Sequence, residues 1–217
     1  MMDSVKTPYD KCIQTLIENI KLDPYFKEFI DWANENNVPV VVLSSGMEPI
    51  IRALLEHMVG KEAAKVIQIV SNNVEVRDGH KSINEEGGWK IVFHDESHFG
   101  HDKSLEIRPY ANLPEDQRPT MFYAGDGVSD LSAAKETDLL FAKKGQGRIS
   151  PFFSTRCNAN DFADLVSYCV RENVPFTIFE DWSSILSTVK DIVAGKTTVK
   201  DVYAAGVEDF KQGGNEK

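Results

Sequence analysis

Apolar residues along the chain follow two rhythms that alternate. Val38-Pro-Val-Val-Val-Leu43 and Thr120-Met-Phe-Tyr-Ala124 are short continuous apolar runs, the pattern of strands buried on both faces of a parallel sheet. Val66 to Val70, Leu139 to Ala142 and Phe176 to Phe179 read as further strands. Val74 to Val76 and Trp89 to Phe93 are short alternating stretches around a polar turn, which predicts a hairpin. Between these runs the spacing turns helical. Thr7-Pro8 and Asp23-Pro24 place a capping oxygen before a proline, predicting helices over Pro8 to Ile20 and Pro24 to Asn34. Pro49 to Met58 is helical in spacing and meets its stop at Gly60. His101 to Arg108, Leu131 to Lys135, Leu165 to Arg171, Trp182 to Val193 and Val199 to Phe210 complete the helices. Strands alternating with helices predict an α/β fold built on a doubly wound parallel sheet.

Composition narrows the function classes. The 217 residues carry 24 Lys and Arg against 34 Asp and Glu, a formal net charge of −10. Clustered cations for nucleic-acid phosphates are not in prospect. An anionic small-molecule substrate would need a local positive site built against the global field. No apolar run is long enough for a bilayer-spanning helix, and the N-terminus has no basic-then-apolar leader pattern. The three cysteines, Cys12, Cys157 and Cys169, show no metal-ligand spacing and read as idle thiols of a reducing, cytoplasmic-type compartment.

In an open parallel sheet, ligands bind beyond the carboxyl ends of the strands. Ser44-Ser45-Gly46 follows the first apolar run and precedes a helix, so its hydroxyls and N–H groups can cradle an anion. The same residues also suit an ordinary turn. Gly125-Asp126-Gly127-Val-Ser129-Asp130 follows the second run, and its two carboxylates suit a hard cation such as magnesium, or else a tight turn and a helix cap. Lys103, at a helix start, is either a point charge for an anion or a solvated surface lysine. Taken together, a hydroxyl hook, a lysine and paired carboxylates suit a phosphoryl group with magnesium.

The segments VVVLSSGM, GHDKS and FYAGDGVSDLSAAK resemble motifs II, III and IV of the haloacid dehalogenase-like phosphatases. The branch most resembled is the phosphoserine-phosphatase-like one with a small helical cap, fungal members above all. The resemblance runs from about Lys11 to Ala194 and implies a magnesium-dependent phosphomonoesterase acting on a small phosphorylated metabolite. By that resemblance Ser44, with Ser45 and Gly46, would bind the transferring phosphoryl group and Lys103 would neutralise it. Asp126 would ligate magnesium, and Asp130 would support the metal's water shell or orient Lys103. The chain has Ser129 where phosphoserine phosphatases usually have Asn, so a preference for phosphoserine is not implied.

The chain also departs from the family's pattern. The family's nucleophile and its acid/base sit in an Asp-x-Asp-x-Thr/Val segment at the end of a sheet strand. These 217 residues contain no Asp-x-Asp. An aspartyl-phosphate cannot form without that carboxylate, so the chain as given is expected to be N-terminally incomplete and inactive. On this reading residues 1–22 are a remnant of the helical cap and 23–217 the α/β core. The alternative is a catalytically dead module that binds a phosphorylated ligand or a protein partner. A nucleotide binder is disfavoured, because no GxGxxG or GxxxxGKS/T follows a strand. Residues 147–163 are expected to be a translated intron. They lack periodicity, include Phe152 and Phe153, and stretch a strand-to-helix connection to about 20 residues where 2–6 are usual. By the resemblance, fungal relatives run directly from an AKKG-like end into DLVSYC. Codon choices exist for a donor, branch point and acceptor that preserve the frame. The other reading of this segment is a genuine surface-loop insertion.

Overall fold

The computed structural model describes residues 5–97, 101–126, 130–143, 165, 169 and 172–213. The suspect segment 147–163, with Cys157 in it, and Ser129 lie outside the described residues. The chain divides into two compact units, 1–102 and 103–217.

In the first unit, helices α1 (Tyr9–Asn19) and α2 (Phe26–Glu35) precede strand β1 (Val41–Met47). Helices α3 (Glu48–Val59) and α4 (Lys61–Lys65) then lead to β2 (Gln68–Val76) and β3 (Trp89–Val92). The sheet order is β1-β2-β3. β1 and β2 are parallel, with α3 and α4 providing the crossover that parallel pairing requires. β2 and β3 pair antiparallel as the expected hairpin, Val76 opposite Trp89. β2 is one continuous strand rather than the two expected, and it changes partner at Asn72 and Asn73.

Two helix starts differ from expectation. α1 begins at Tyr9, and its first N–H groups are met by the hairpin turn: Tyr9 donates to the Ile83 carbonyl at 3.2 Å and Asp10 to Asn84 Oδ1 at 3.0 Å. Thr7 makes no side-chain cap there; its carbonyl accepts the Trp89 indole N–H at 2.9 Å. α2 begins at Phe26 because Tyr25, at φ 65°, leaves the right-handed helical path just after Pro24. Tyr9 and Trp89 pack edge to face at 5.4 Å in a core shared with Met47, Ile13 and Ile50.

In the second unit, α5 (Lys103–Ala111) leads to β4 (Phe122–Gly125), α6 (Leu131–Ala134), β5 (Leu139–Lys143) and β6 (Phe176–Phe179). Two helices follow, α7 (Trp182–Val193) and α8 (Val199–Gly213). The strand order is β4-β5-β6, all parallel. β5 is paired on both sides and buried at Leu139 to Ala142. Leu165 and Cys169, in the helix expected over Leu165 to Arg171, belong to the core formed with Leu140 and Phe176. Asp181 caps α7 by accepting the Ser183 N–H at 2.9 Å. The mixed α/β architecture with parallel pairing is as expected. Full burial of the first two apolar runs is not: among the described residues β1 and β4 each pair on one side only, β4 is half-buried, and Val41 is 46% exposed. No described helix is long and apolar enough to cross a membrane.

Burial gives the fold an alkaline limit. It pushes the Tyr9 phenol up to about 12, with the neighbouring Cys12 and Glu48 charges adding to the effect. A phenol held neutral in the folded state stabilises fully below its unfolded pKa of about 10, and that contribution is lost as pH rises through the folded value. The expected result is a melting temperature that begins to fall above about pH 10. Absorbance at the phenolate band should show this tyrosine ionising only as the fold is lost; independent ionisation of all six tyrosines near their free value would contradict it.

Candidate functional site

The two expected phosphate-site clusters fall in different units, and each has its own geometry. In the first unit, Ser44, Ser45 and Gly46 lie inside β1, not after it. The β1–β2 register is continuous through Ser44 opposite Ser71 and then jumps to Met47 opposite Asn72. Ser45 and Gly46 are thus a two-residue bulge, exposed at the end of the strand, where such irregularities re-aim side chains. The Gly46 N–H donates to Ser44 Oγ at 3.0 Å. A β-carbon on Gly46 would lie 3.1 Å from that hydroxyl, so glycine here leaves the half-buried Ser44 side chain its position.

Behind the bulge sits Asn72, 2% exposed. Its Nδ2 donates to the Ser45 carbonyl at 2.8 Å, and its Oδ1 accepts the His94 N–H at 2.8 Å. The described residues after β3 make polar contacts of their own. The rings of His94 and His101 meet edge to face at 4.8 Å, and Asp95 accepts the Asp102 N–H at 2.7 Å. Ser97, whose N–H donates to Asp95 Oδ1 at 2.8 Å, is the largest influence holding the Asp95 carboxyl below its usual range.

In the second unit, Lys103 opens α5 and Asp126 follows β4. Asp130 precedes α6. Lys103 is not a solvated surface charge. Its ammonium lies 2.6 Å from Asp130 Oδ1, with the two side chains only 11% and 4% exposed. Tyr123 Oη donates to the same oxygen at 2.7 Å, and the Asp126 N–H donates to Oδ2 at 3.0 Å. Both oxygens of Asp130 are therefore committed to protein donors. Burial, followed by the Asp130 charge, pushes the Tyr123 phenol far above its usual range, so it stays a donor at any working pH. The Lys103 ammonium also lies 6.0 Å from the Tyr123 ring centre. The Asp126 carboxylate is exposed at the strand end.

This arrangement brings Lys103, Asp126 and Asp130 together, as the motif spacing implied. Within the second unit it also adds Tyr123, which sequence reasoning passed over, as it passed over Asn72 in the first unit. Tyr123 read as one more apolar strand residue, and its hydroxyl was the only signal. Asn72 read as a break between strands, since a polar Ser-Asn-Asn between two apolar stretches carries no sequence signal of burial. Among the described residues, no cluster of three or more His, Cys, Asp or Glu side chains forms a metal cage. Magnesium does not need one, since it commonly uses one or two carboxylates with water and substrate phosphate. Asp126 suits that role by its chemistry, while Asp130 already accepts from Lys103, Tyr123 and the Asp126 N–H.

The family model for haloacid dehalogenase-like hydrolases matches residues 2–135. Pdp3-interacting factor 1 of Schizosaccharomyces pombe is 50% identical over 85% of this chain and 70% of its own length. Polyol phosphate phosphatase PYP1 of Saccharomyces cerevisiae is 47% identical over 93% of this chain and 76% of its own length. A 2-hydroxy-3-keto-5-methylthiopentenyl-1-phosphate phosphatase of Bacillus cereus is 29% identical over 87% of this chain and 73% of its own length. On the strength of that match and these identities, and in keeping with the parallel α/β units and the Lys103–Asp130 pair, the chain belongs to the haloacid dehalogenase-like hydrolases.

Proposed function

We propose that this chain carries the phosphate-binding half of a magnesium-dependent phosphomonoesterase for a small, hydroxyl-rich phosphate ester. The observation that carries the reading is the buried Lys103 ammonium fixed by Asp130 at the carboxyl end of a parallel strand. An acidic chain has no general attraction for a dianion, so a positioned cation is the feature that an anionic substrate requires. Ser44 and the Ser45 N–H supply hydrogen bonds to phosphoryl oxygens, Gly46 holds the Ser44 hydroxyl through its own N–H, and Lys103 offsets the phosphoryl charge. Asp130 orients Lys103 instead of facing the metal, and Asp126 offers its carboxylate to magnesium. When bound, magnesium would polarise the phosphoryl oxygens. The substrate class rests on the relatives: one is named for polyol phosphates and another for a hydroxylated keto-pentenyl phosphate. We place residues 1–22 with the helical cap of such enzymes.

The nucleophile is a separate matter. With no Asp-x-Asp in the sequence, the attacking carboxylate has to come from outside these 217 residues. Two measurements test the proposal together. The chain as given should bind inorganic phosphate but release none from an aryl phosphate with magnesium present. The same chain preceded by a strand ending in Asp-x-Asp-x-Thr/Val should hydrolyse polyol phosphates. Turnover by the given chain that disappears in Asp126→Asn would refute the missing-nucleophile reading. A dead binding module, the second reading suggested by the same absence, would bind phosphate and stay inactive after the extension.

A further inference from the structure

We infer that Asn72 is a positioning residue for the phosphate site, acting on Ser44 through a single peptide group; the inference rests on the role proposed above for Ser44. The peptide between Ser45 and Gly46 is trans, as are all described peptides, so its carbonyl and its N–H point in opposite directions. Both ends are held. The carbonyl of Ser45 accepts from Asn72 Nδ2 at 2.8 Å, and the N–H of Gly46 donates to Ser44 Oγ at 3.0 Å. Pulling the carbonyl toward Asn72 therefore aims the N–H at the serine hydroxyl.

The consequence falls on the serine proton. A hydroxyl has one donor and two acceptor sites. With Gly46 filling an acceptor site of Ser44, the remaining O–H is free to rotate into donation, which is the role a phosphoryl oxygen needs. Asn72 can hold the peptide because it is itself fixed: it is buried at the register jump where β2 exchanges β1 for β3, and its Oδ1 takes the His94 N–H. An amide is suited to this position because it donates forward to Ser45 and accepts backward from His94 within one side chain. A carboxylate keeps only the backward bond.

The test is a double-substitution cycle on the full chain, with inorganic phosphate as the probe and binding read from the Gly46 amide resonance. Asn72→Asp preserves the acceptor for His94 and removes the donor to Ser45. It should weaken phosphate binding by about tenfold. Part of any loss could be simple repulsion by the introduced carboxylate, and that part persists when Ser44 is absent. In the Ser44→Ala background the same substitution should therefore cost markedly less, so the two effects are not additive. Equal loss in both backgrounds, or no loss in either, overturns the inference while leaving Ser44 as a phosphate ligand. Absence of Ser44-dependent binding in the unsubstituted chain overturns the reading of the site and this inference with it. A measurement independent of any variant's folding is hydrogen exchange in the unsubstituted chain. The Asn72 side-chain amide should exchange slowly, and exchange at the rate of an open amide would remove the clamp.

Discussion

Replacing Lys103 by methionine is expected to lower the unfolding free energy by about 3 kcal/mol or more. The size of the effect comes from what is left behind. Asp130 is 4% exposed in its side chain and its oxygens meet the ammonium at 2.6 Å, the Tyr123 hydroxyl and the Asp126 N–H. Methionine fills much of the lysine stem's space but leaves a buried carboxylate with neutral donors only. Breaking a buried pair from one side costs more than removing the pair. Adding Asp130→Asn to Lys103→Met should therefore recover part of the loss, although one change has become two. Urea unfolding of the parent and both variants measures this directly. A midpoint for Lys103→Met that matches the parent would mean that Asp130 does not depend on the ammonium. If the proposed function holds, the same lysine in an extended chain that turns over should be worth on the order of 100-fold or more in rate, because it would face a dianion from a position largely removed from water. A variant that unfolds early yet hydrolyses normally would separate the structural pair from the proposed catalytic role.

The architecture was legible in the sequence because strand and helix differ in apolar period, a difference plain in α2 and α7 though not in α5. The hairpin at Val76 and Trp89 and the crossover after β1 follow from such patterns. The misplacements have particular causes. β1 was expected to end at Leu43, where the apolar run stops, but a ladder is built from backbone groups and continues through Ser44 to Met47 with Ser45 and Gly46 bulged. Ser71 and Asn72 read as a gap between Val66–Val70 and Val74–Val76 because polarity usually marks a turn. Here Asn72 is buried with its amide bonded on both sides, a condition only tertiary structure reveals. α4 is a single short turn-and-a-half of helix, too brief for any periodicity to register.

The candidate site was legible to a different depth. The motif spacing located Lys103, Asp126 and Asp130, yet it left Lys103 open between an anion ligand and a solvated lysine. Burial beside Asp130 decides against the solvated charge. Tyr123 was invisible as a site residue because its ring satisfies the same apolar pattern as its neighbours, while its hydroxyl reaches Asp130 across the turn. Apolar runs also state what surroundings a strand favours, not how many partners it has. β5 is paired on both sides and buried, whereas β1 and β4, which also carry apolar runs, have a partner on one side among the described residues.

Gly125→Ala is expected to remove about 2 kcal/mol of stability and to disturb the Lys103–Asp130 pair, although it adds only a methyl group. A β-carbon built on Gly125 would lie 2.7 Å from Asp130 Cγ and Oδ2 and 2.8 Å from its Cβ. Ordinary contact between such atoms is about 3.5–4 Å, so one of the groups has to move. Asp130 is poorly placed to yield, since Lys103, Tyr123 and the Asp126 N–H all hold its carboxylate. Gly125 is also the last residue of β4, paired opposite Ala142 in the ladder with β5, so the backbone resists as well. Whichever group moves, the hydrogen bonds to Asp130 lengthen. A second readout follows from the Tyr123 phenol, which burial and then the Asp130 charge push upward. Moving that carboxylate away should let the phenol ionise at lower pH than in the parent, visible in an alkaline absorbance titration. Gly46→Ala is the comparison that isolates the cause. Its nearest contact would be Ser44 Oγ at 3.1 Å, on a half-buried side chain that can rotate, so the fold should lose much less. Equal stability for the two alanine variants, with an unchanged tyrosine titration in Gly125→Ala, would show that Asp130 does not pack against Gly125 as tightly as this geometry requires.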